Sequence, residues 1–301
     1  MPSPALNLSL GLRRNLHWFG SALAIGGIVF VGIRLCSYAA ELDFSRFSLA
    51  DYALIGALAA TYGAANLFLA LAWCRCLAQL GATERRIGAI KIYGMSQLAK
   101  YVPGNIFHLA GRQAMGMAAG YRPKVLAQSM AWELGSIAMA GALFGWLVLP
   151  RLLPALTLPF ALLLMCVSCV VIAVACRRWV GRHAAAALSW QLYFLTVSAA
   201  VFVVLLELLT GFQFLGFQRW LLAGGAYTFA WLVGLVTPGA PAGVGVRELI
   251  LLMVLDGIAA DHVLLMAVLF GRVVTVIGDL LFFVTASLIS DSDSRLDNQH
   301  A

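Results

Sequence analysis

The sequence predicts an all-α, polytopic helical membrane protein, and three observations carry that prediction. The first is side-chain balance. Of 301 residues, 62% are hydrophobic and 11% charged, against the ~25% charged residues of a soluble domain. With a mean hydropathy of +0.92, the chain cannot build a water-facing surface, so its solvent must be largely hydrocarbon. The second is the length of the apolar runs, several of which reach the ~20 residues a helix needs to cross a bilayer. The third is the placement of charge, in short basic clusters that abut those runs.

Six full spans are expected, at roughly 16–38, 52–78, 125–149, 155–176, 186–210 and 262–288. The first lies in an apolar run from Leu16 to Ala40. That run is too long for a signal-peptide core and lacks a convincing cleavage site, so it reads as a span. Two more apolar regions, 88–120 and 218–257, are broken, by Tyr101-Val102-Pro103-Gly104 and by Thr237-Pro238-Gly239-Ala240-Pro241. Proline removes an amide donor and glycine frees the backbone, so a helix stops there. The freed polar groups cannot face lipid. They must be buried in protein or line a wet cavity.

Charge orients these segments. Arg13 and Arg14, then Arg85, Arg86 and Lys91, then Arg122 and Lys124, then Arg177, Arg178 and Arg182 are expected inside. The loop holding Glu41, Asp43, Arg46 and Asp51, the loop with Arg151, and Asp256 with Asp261 are expected outside. Each broken region then enters and leaves on one side, giving two re-entrant segments. Eight full spans are the alternative and would strand basic loops on the wrong side. Nucleic-acid binding, the other reading of a net charge of +7, is disfavoured because the basic patches are short and each adjoins a hydrophobic stretch.

The two broken regions match. Arg112 lies nine residues beyond Pro103, and Arg247 nine beyond Pro238. Each region sits between two full spans. An inverted repeat is therefore expected, about 52–149 and 186–288, within one transmembrane domain 1–288 followed by a polar tail 289–301.

Ionisable residues inside the apolar segments are Lys100, Arg112, Glu133, Glu207, Arg247, Glu248, Arg272 and Asp279. Each costs at least ~2.5–3.5 kcal/mol to insert, so each needs a partner or a wet cavity. Ion pairs that fasten helices are one reading. Arginines that hold an anionic headgroup, oriented by the carboxylates, are the other. Arg272 and Asp279 are seven apart, on one helix face, and can bracket a site. Arg247 and Glu248 are adjacent and point to different partners. Gly239, Gly243 and Gly245 precede a helix beginning near Val246, a turn that offers amides to phosphate or permits close helix packing. Asn105 and His108 follow the first break and are candidates to line a cavity. Pro103, Gly104, Pro238, Gly239, Pro241, Gly243 and Gly245 are the candidate hinges. Cys36, Cys74, Cys76, Cys166, Cys169 and Cys176 lie in or beside apolar runs and read as packed thiols, not as a disulfide framework or a metal site. No metal-ligand cluster, nucleophile elbow or phosphate-binding loop motif is visible, and no cofactor is implied.

The segment Gln97-Leu98-Ala99-Lys100-Tyr101-Val102-Pro103-Gly104-Asn105-Ile106-Phe107-His108, with Arg112 and Glu133 after it, resembles a KYxPG…R…E signature. Trp231-Leu232-Val233-Gly234, followed by Thr237 through Glu248, resembles a PgGlGvRE signature, with Arg272 matching a later arginine. Together they resemble the lysylphosphatidylglycerol synthase transmembrane-region family over roughly 15–288. The departure is Ala240-Pro241-Ala242, where the family has a Pro-Gly-Gly-type turn.

The resemblance implies a multi-pass protein of the cell membrane, bacterial inner membrane by analogy. That family includes flippase halves that move aminoacylated phosphatidylglycerol between leaflets and membrane halves of glycosyltransferases. It implies a lipid translocase, or lipid-binding transport component, for an anionic lipid or polyprenyl-phosphate-linked intermediate, not an enzyme. A cytosolic aminoacyl-transferase domain is missing from these residues, so lipid lysylation is not expected. The competing expectation is a non-transporting membrane partner of a cell-envelope glycosyltransferase or lipid synthase.

Overall fold

The computed structural model describes residues 47–82, 86–102, 107–212, 216–237 and 245–290. The expected span at 16–38, Arg13, Arg14, Glu41, Asp43, Arg46, Arg85, Cys36 and the tail beyond 290 lie outside the described residues. So do Asn105 and the hinge candidates Pro103, Gly104, Pro238, Gly239, Pro241 and Gly243.

Among the described residues every regular element is helical. α1 is Leu49–Gln79 and α2 Arg86–Gln97, which tightens into a 3₁₀ turn at Leu98–Tyr101. α3 is Phe107–Ala118, and α4 is Pro123–Leu143, carried on by short turns to Arg151. α5 is Leu158–Ala175, ending in a π turn at Cys176–Val180. α6 is Arg182–Leu209, α7 Phe217–Val236, α8 Val246–Leu255 and α9 Asp261–Ser287.

Helix ends follow local chemistry. Ser48 and Asp51 cap α1 reciprocally: the Asp51 amide donates to Ser48 Oγ and the Ser48 amide to Asp51 Oδ2. Pro123 opens α4 at a position where its missing N–H costs nothing.

Among the described residues, six helices are long and apolar enough to cross a membrane: α1, α4 through Arg151, α5 through Val180, α6, α7 and α9. The chain is a multi-pass, all-α membrane protein. Five of these helices coincide with expected full spans. The sixth, α7, is the first limb of the second broken region. At 20 residues it is roughly 30 Å long, enough to cross, yet the chain turns back after it.

Contacts along the helices fix their directions. Gln79 of α1 meets Val180 and Ala184 at the start of α6, and Tyr62 packs edge-to-face on Phe194, so α1 and α6 are antiparallel. Phe47 packs on Phe270 and Asn66 bonds to Asp279, so α1 and α9 run parallel. Arg75, Arg86, Arg182 and His183 surround one polar recess at one end of the bundle. Trp73 bonds to Ser129 near the start of α4, which brings Arg122 and Lys124 to that same end. At the opposite end Arg151 donates to the carbonyls of Val254 and Asp256, at the close of α8.

The α2–α3 segment therefore starts and finishes at the basic end. The α7–α8 segment starts beside Glu207, which accepts from Trp220, and finishes beside Arg151, both at the other end. Both are re-entrant hairpins, and described residues beside their turns, Lys100 and Tyr101 in one and Glu248 in the other, meet α9.

The packing has an internal symmetry. Exchanging α1 with α6, α2 with α7, α3 with α8 and α4 with α9 maps each principal helix contact onto another. Thus α9 on α1 corresponds to α4 on α6, α9 on α2 to α4 on α7, and α3 on α4 to α8 on α9. With α1 and α6 antiparallel at the centre, the two halves are related in an inverted sense, as paired broken helices in transporters are.

Candidate functional site

Two polar centres are buried in the apolar bundle, and a third is partly exposed. The first seals the α2–α3 hairpin. Arg112, 1% exposed, pairs with Glu133 of α4. Its guanidinium lies 3.8 Å from the Tyr93 ring centre and 5.2 Å from that of Trp73. Tyr93 donates its hydroxyl to the other Glu133 oxygen at 2.8 Å, and Gln191 of α6 donates to the Glu133 backbone carbonyl at 3.1 Å. Charge, ring faces and lone pairs are all matched within the protein. This is a lock joining α1, α2, α3, α4 and α6.

The second centre sits at the tip of the same hairpin. Asp279 of α9 is fully buried. It pairs with Lys100 at 2.7 Å and accepts from Asn66 Nδ2 at 2.9 Å and from the Tyr101 hydroxyl. The 3₁₀ turn Leu98–Tyr101 aims both Lys100 and Tyr101 at this one carboxylate. Close helix approach makes it possible. A Cβ on Gly63 would fall 2.8 Å from the Gly278 carbonyl oxygen, and one on Gly278 2.8 Å from that of Ala59. Only glycine lets the α1 and α9 backbones touch there.

The third centre lies at the tip of the α7–α8 hairpin. Gly245 has φ +83, a backbone shape suited to glycine, and its amide donates to Glu248 at 2.8 Å. Glu248 also pairs with Arg272 of α9 at 2.5 Å. Arg247 points elsewhere. Its guanidinium lies 6.0 Å from the Trp231 ring centre, with Tyr227, Arg272, Tyr62 and Glu248 close enough to interact electrostatically. Its Nε is buried with no hydrogen-bond acceptor, and no carboxylate pairs with it among the described residues. Among the described residues Glu248 is the carboxylate that both guanidinium groups meet, paired with Arg272 and within electrostatic reach of Arg247.

α9 joins the second and third centres. Asp279 pins one hairpin tip and Arg272 the other, seven residues or roughly 10 Å apart along one face. Tyr62 interacts electrostatically with both Asp279 and Arg247, so it stands between the two. The sequence-derived residues Lys100, Arg247, Glu248, Arg272 and Asp279 are thus brought together around α9. Arg112 and Glu133 are expected on the same footing as Arg247, as ligand-facing groups. They form the separate lock instead, because Tyr93 and Trp73 enclose them. Asn66, Tyr62 and Tyr227 escaped sequence reasoning, and Tyr101 entered it only as part of the first Pro-Gly segment. Asn66 alone carried a signal, as a lone amide in the apolar run of α1. His108, expected to line a cavity, lies on α3 with its Nδ1 buried and unpartnered.

Among the described residues no His, Cys, Asp and Glu group could hold a metal, and Cys74, Cys76, Cys166, Cys169 and Cys176 are free thiols. No family model, curated protein or solved structure matches this chain.

Proposed function

We propose that this chain is a lipid translocase that holds an anionic headgroup, a lipid phosphate or polyprenyl phosphate, at Arg247 between two re-entrant hairpins. The observation that carries the reading is the guanidinium of Arg247 near mid-bundle, whose buried Nε has no acceptor and with which no carboxylate among the described residues pairs. A charge there costs at least ~2.5–3.5 kcal/mol without a partner. An arriving phosphate lowers that cost, and its two oxygens match two parallel N–H donors of the fork. Arg272 adds positive charge, and Glu248 orients it.

The inverted packing of the two halves supports alternating exposure of this centre, one half rocking against the other around α9. The resemblance of both Pro-Gly motifs to the lysylphosphatidylglycerol synthase transmembrane-region family supports the same reading, and with it a place in a bacterial cell membrane.

The test is leaflet exchange in proteoliposomes carrying labelled phosphatidylglycerol or labelled phosphatidylcholine. The reading expects the protein to accelerate exchange of the anionic lipid over the zwitterionic one. Equal, unaccelerated exchange of both lipids and of a polyprenyl phosphate would overturn it in favour of a non-transporting partner of an envelope enzyme.

A further inference from the structure

A second lipid site lies on the flank of the bundle, away from Arg247. α5 is apolar on every face, and of its 18 residues only Ala161 is buried. Between it, α4 and α6 lies a cleft of about 580 Å³. The walls include Ala131, Gly135 and Met139 of α4, Ile172 of α5 and Leu188 of α6, with Trp179 at the end of α5. Gly135 has open space where a Cβ would stand.

The cleft is apolar along its length and basic at one end. Its α4 wall begins at Gln128, and Lys124 lies one turn earlier on that face, exposed. The π turn that closes α5 contributes Cys176, Trp179 and Val180 to the walls and presents Arg177 and Arg178, both exposed. Trp179 is 83% exposed beside this end, as expected of an indole at the headgroup level, while Trp132, 41% exposed, lines the cleft about two turns deeper. A slot that is hydrocarbon-like along the membrane normal and cationic at the interface has the polarity of a phospholipid. Basic pockets between spans recruit anionic headgroups.

We infer that this cleft binds one anionic phospholipid of the leaflet at the basic end, an acyl chain between α4, α5 and α6 and the phosphate against Lys124, Arg177 and Arg178. The site is independent of transport through Arg247. A lipid held there serves the fold by filling the wedge under α5.

The experiment is native mass spectrometry of the full chain purified from vesicles of phosphatidylglycerol and phosphatidylcholine. Wild type should retain phosphatidylglycerol in preference to phosphatidylcholine. Lys124→Gln with Arg177→Gln and Arg178→Gln should cut that preference by about fivefold per charge removed. Gly135→Leu, which fills the cleft, should lower retention of either lipid at an unchanged melting temperature. In an Arg247→Gln background, which removes any lipid held at Arg247, both sets of substitutions should have the same effect on the remaining retention, and this separates the flank site from the transport reading. Three outcomes overturn the inference. One is equal retention of both lipids by wild type. Another is retention indifferent to both sets of substitutions. The third is a disulfide from Ser136→Cys to a cysteine placed within 16–38, which would make that segment the occupant.

Discussion

Arg112 and Arg247 occupy matching places in the sequence, nine residues beyond a proline, yet their surroundings give them opposite roles. Arg112 is enclosed by Glu133, Tyr93 and Trp73. Removing one partner leaves a buried charge uncompensated, which costs about 3–5 kcal/mol. Glu133→Gln and Arg112→Ala should therefore lower the melting temperature sharply, and any loss of lipid exchange should track the loss of folded protein. Exchange lost at a wild-type melting temperature would place Arg112 at the substrate. Among the described residues Arg247 has no carboxylate bonded to it, Glu248 being paired with Arg272, so Arg247→Gln should leave the melting temperature unchanged or raised. The spacing that pairs these arginines was legible in the sequence. What separates them was not, because Tyr93, Trp73 and Glu133 reach Arg112 from three helices, and ring faces leave no periodic trace.

At the scale of elements, apolar length was nearly sufficient. The expected spans 52–78, 186–210 and 262–288 differ by at most a few residues from α1 (Leu49–Gln79), α6 (Arg182–Leu209) and α9 (Asp261–Ser287). A helix in lipid must satisfy its own backbone, so hydropathy marks its extent. The close crossing of α1 and α9 was hidden, since Gly63 and Gly278 are two among 29 glycines. Gly63→Ala or Gly278→Ala must push backbone away from backbone and should cost about 1–3 kcal/mol, also weakening the Asn66–Asp279 bond beside the crossing. Gly56→Ala, where a Cβ meets nothing within 4 Å, is the control and should melt as wild type does. Equal melting for all three would mean the helices do not touch. The hairpin tips make a second element-scale prediction. Asp279→Asn removes the counter-charge of Lys100 and should raise hydrogen exchange across Leu98–Tyr101, while Val246–Leu255, held through Arg272, keeps its protection. Unchanged exchange at Leu98–Tyr101 would show that Asp279 does not pin that tip.

For the whole molecule, the charge pattern read from sequence becomes geometry. Arg86, Arg122, Lys124 and Arg182 gather at one end, and Arg151 with Asp256 marks the other. Cysteines placed at Lys124, Arg178 and Arg182 should label from one side of sealed vesicles, and cysteines at Asp256 and Asp261 from the opposite side. Lys124 labelling with Asp261 would dismantle the re-entrant hairpins and the inverted relation of the halves. That relation puts both tips on α9 and leaves Arg247 beside them with no carboxylate bonded to it among the described residues. The direct measurement is exchange of labelled phosphatidylglycerol per folded molecule, with Arg247→Gln set beside wild type at matched melting temperature. The account predicts that Arg247→Gln folds normally and no longer accelerates exchange. Wild-type exchange by folded Arg247→Gln would contradict it and remove the headgroup from the centre of the molecule.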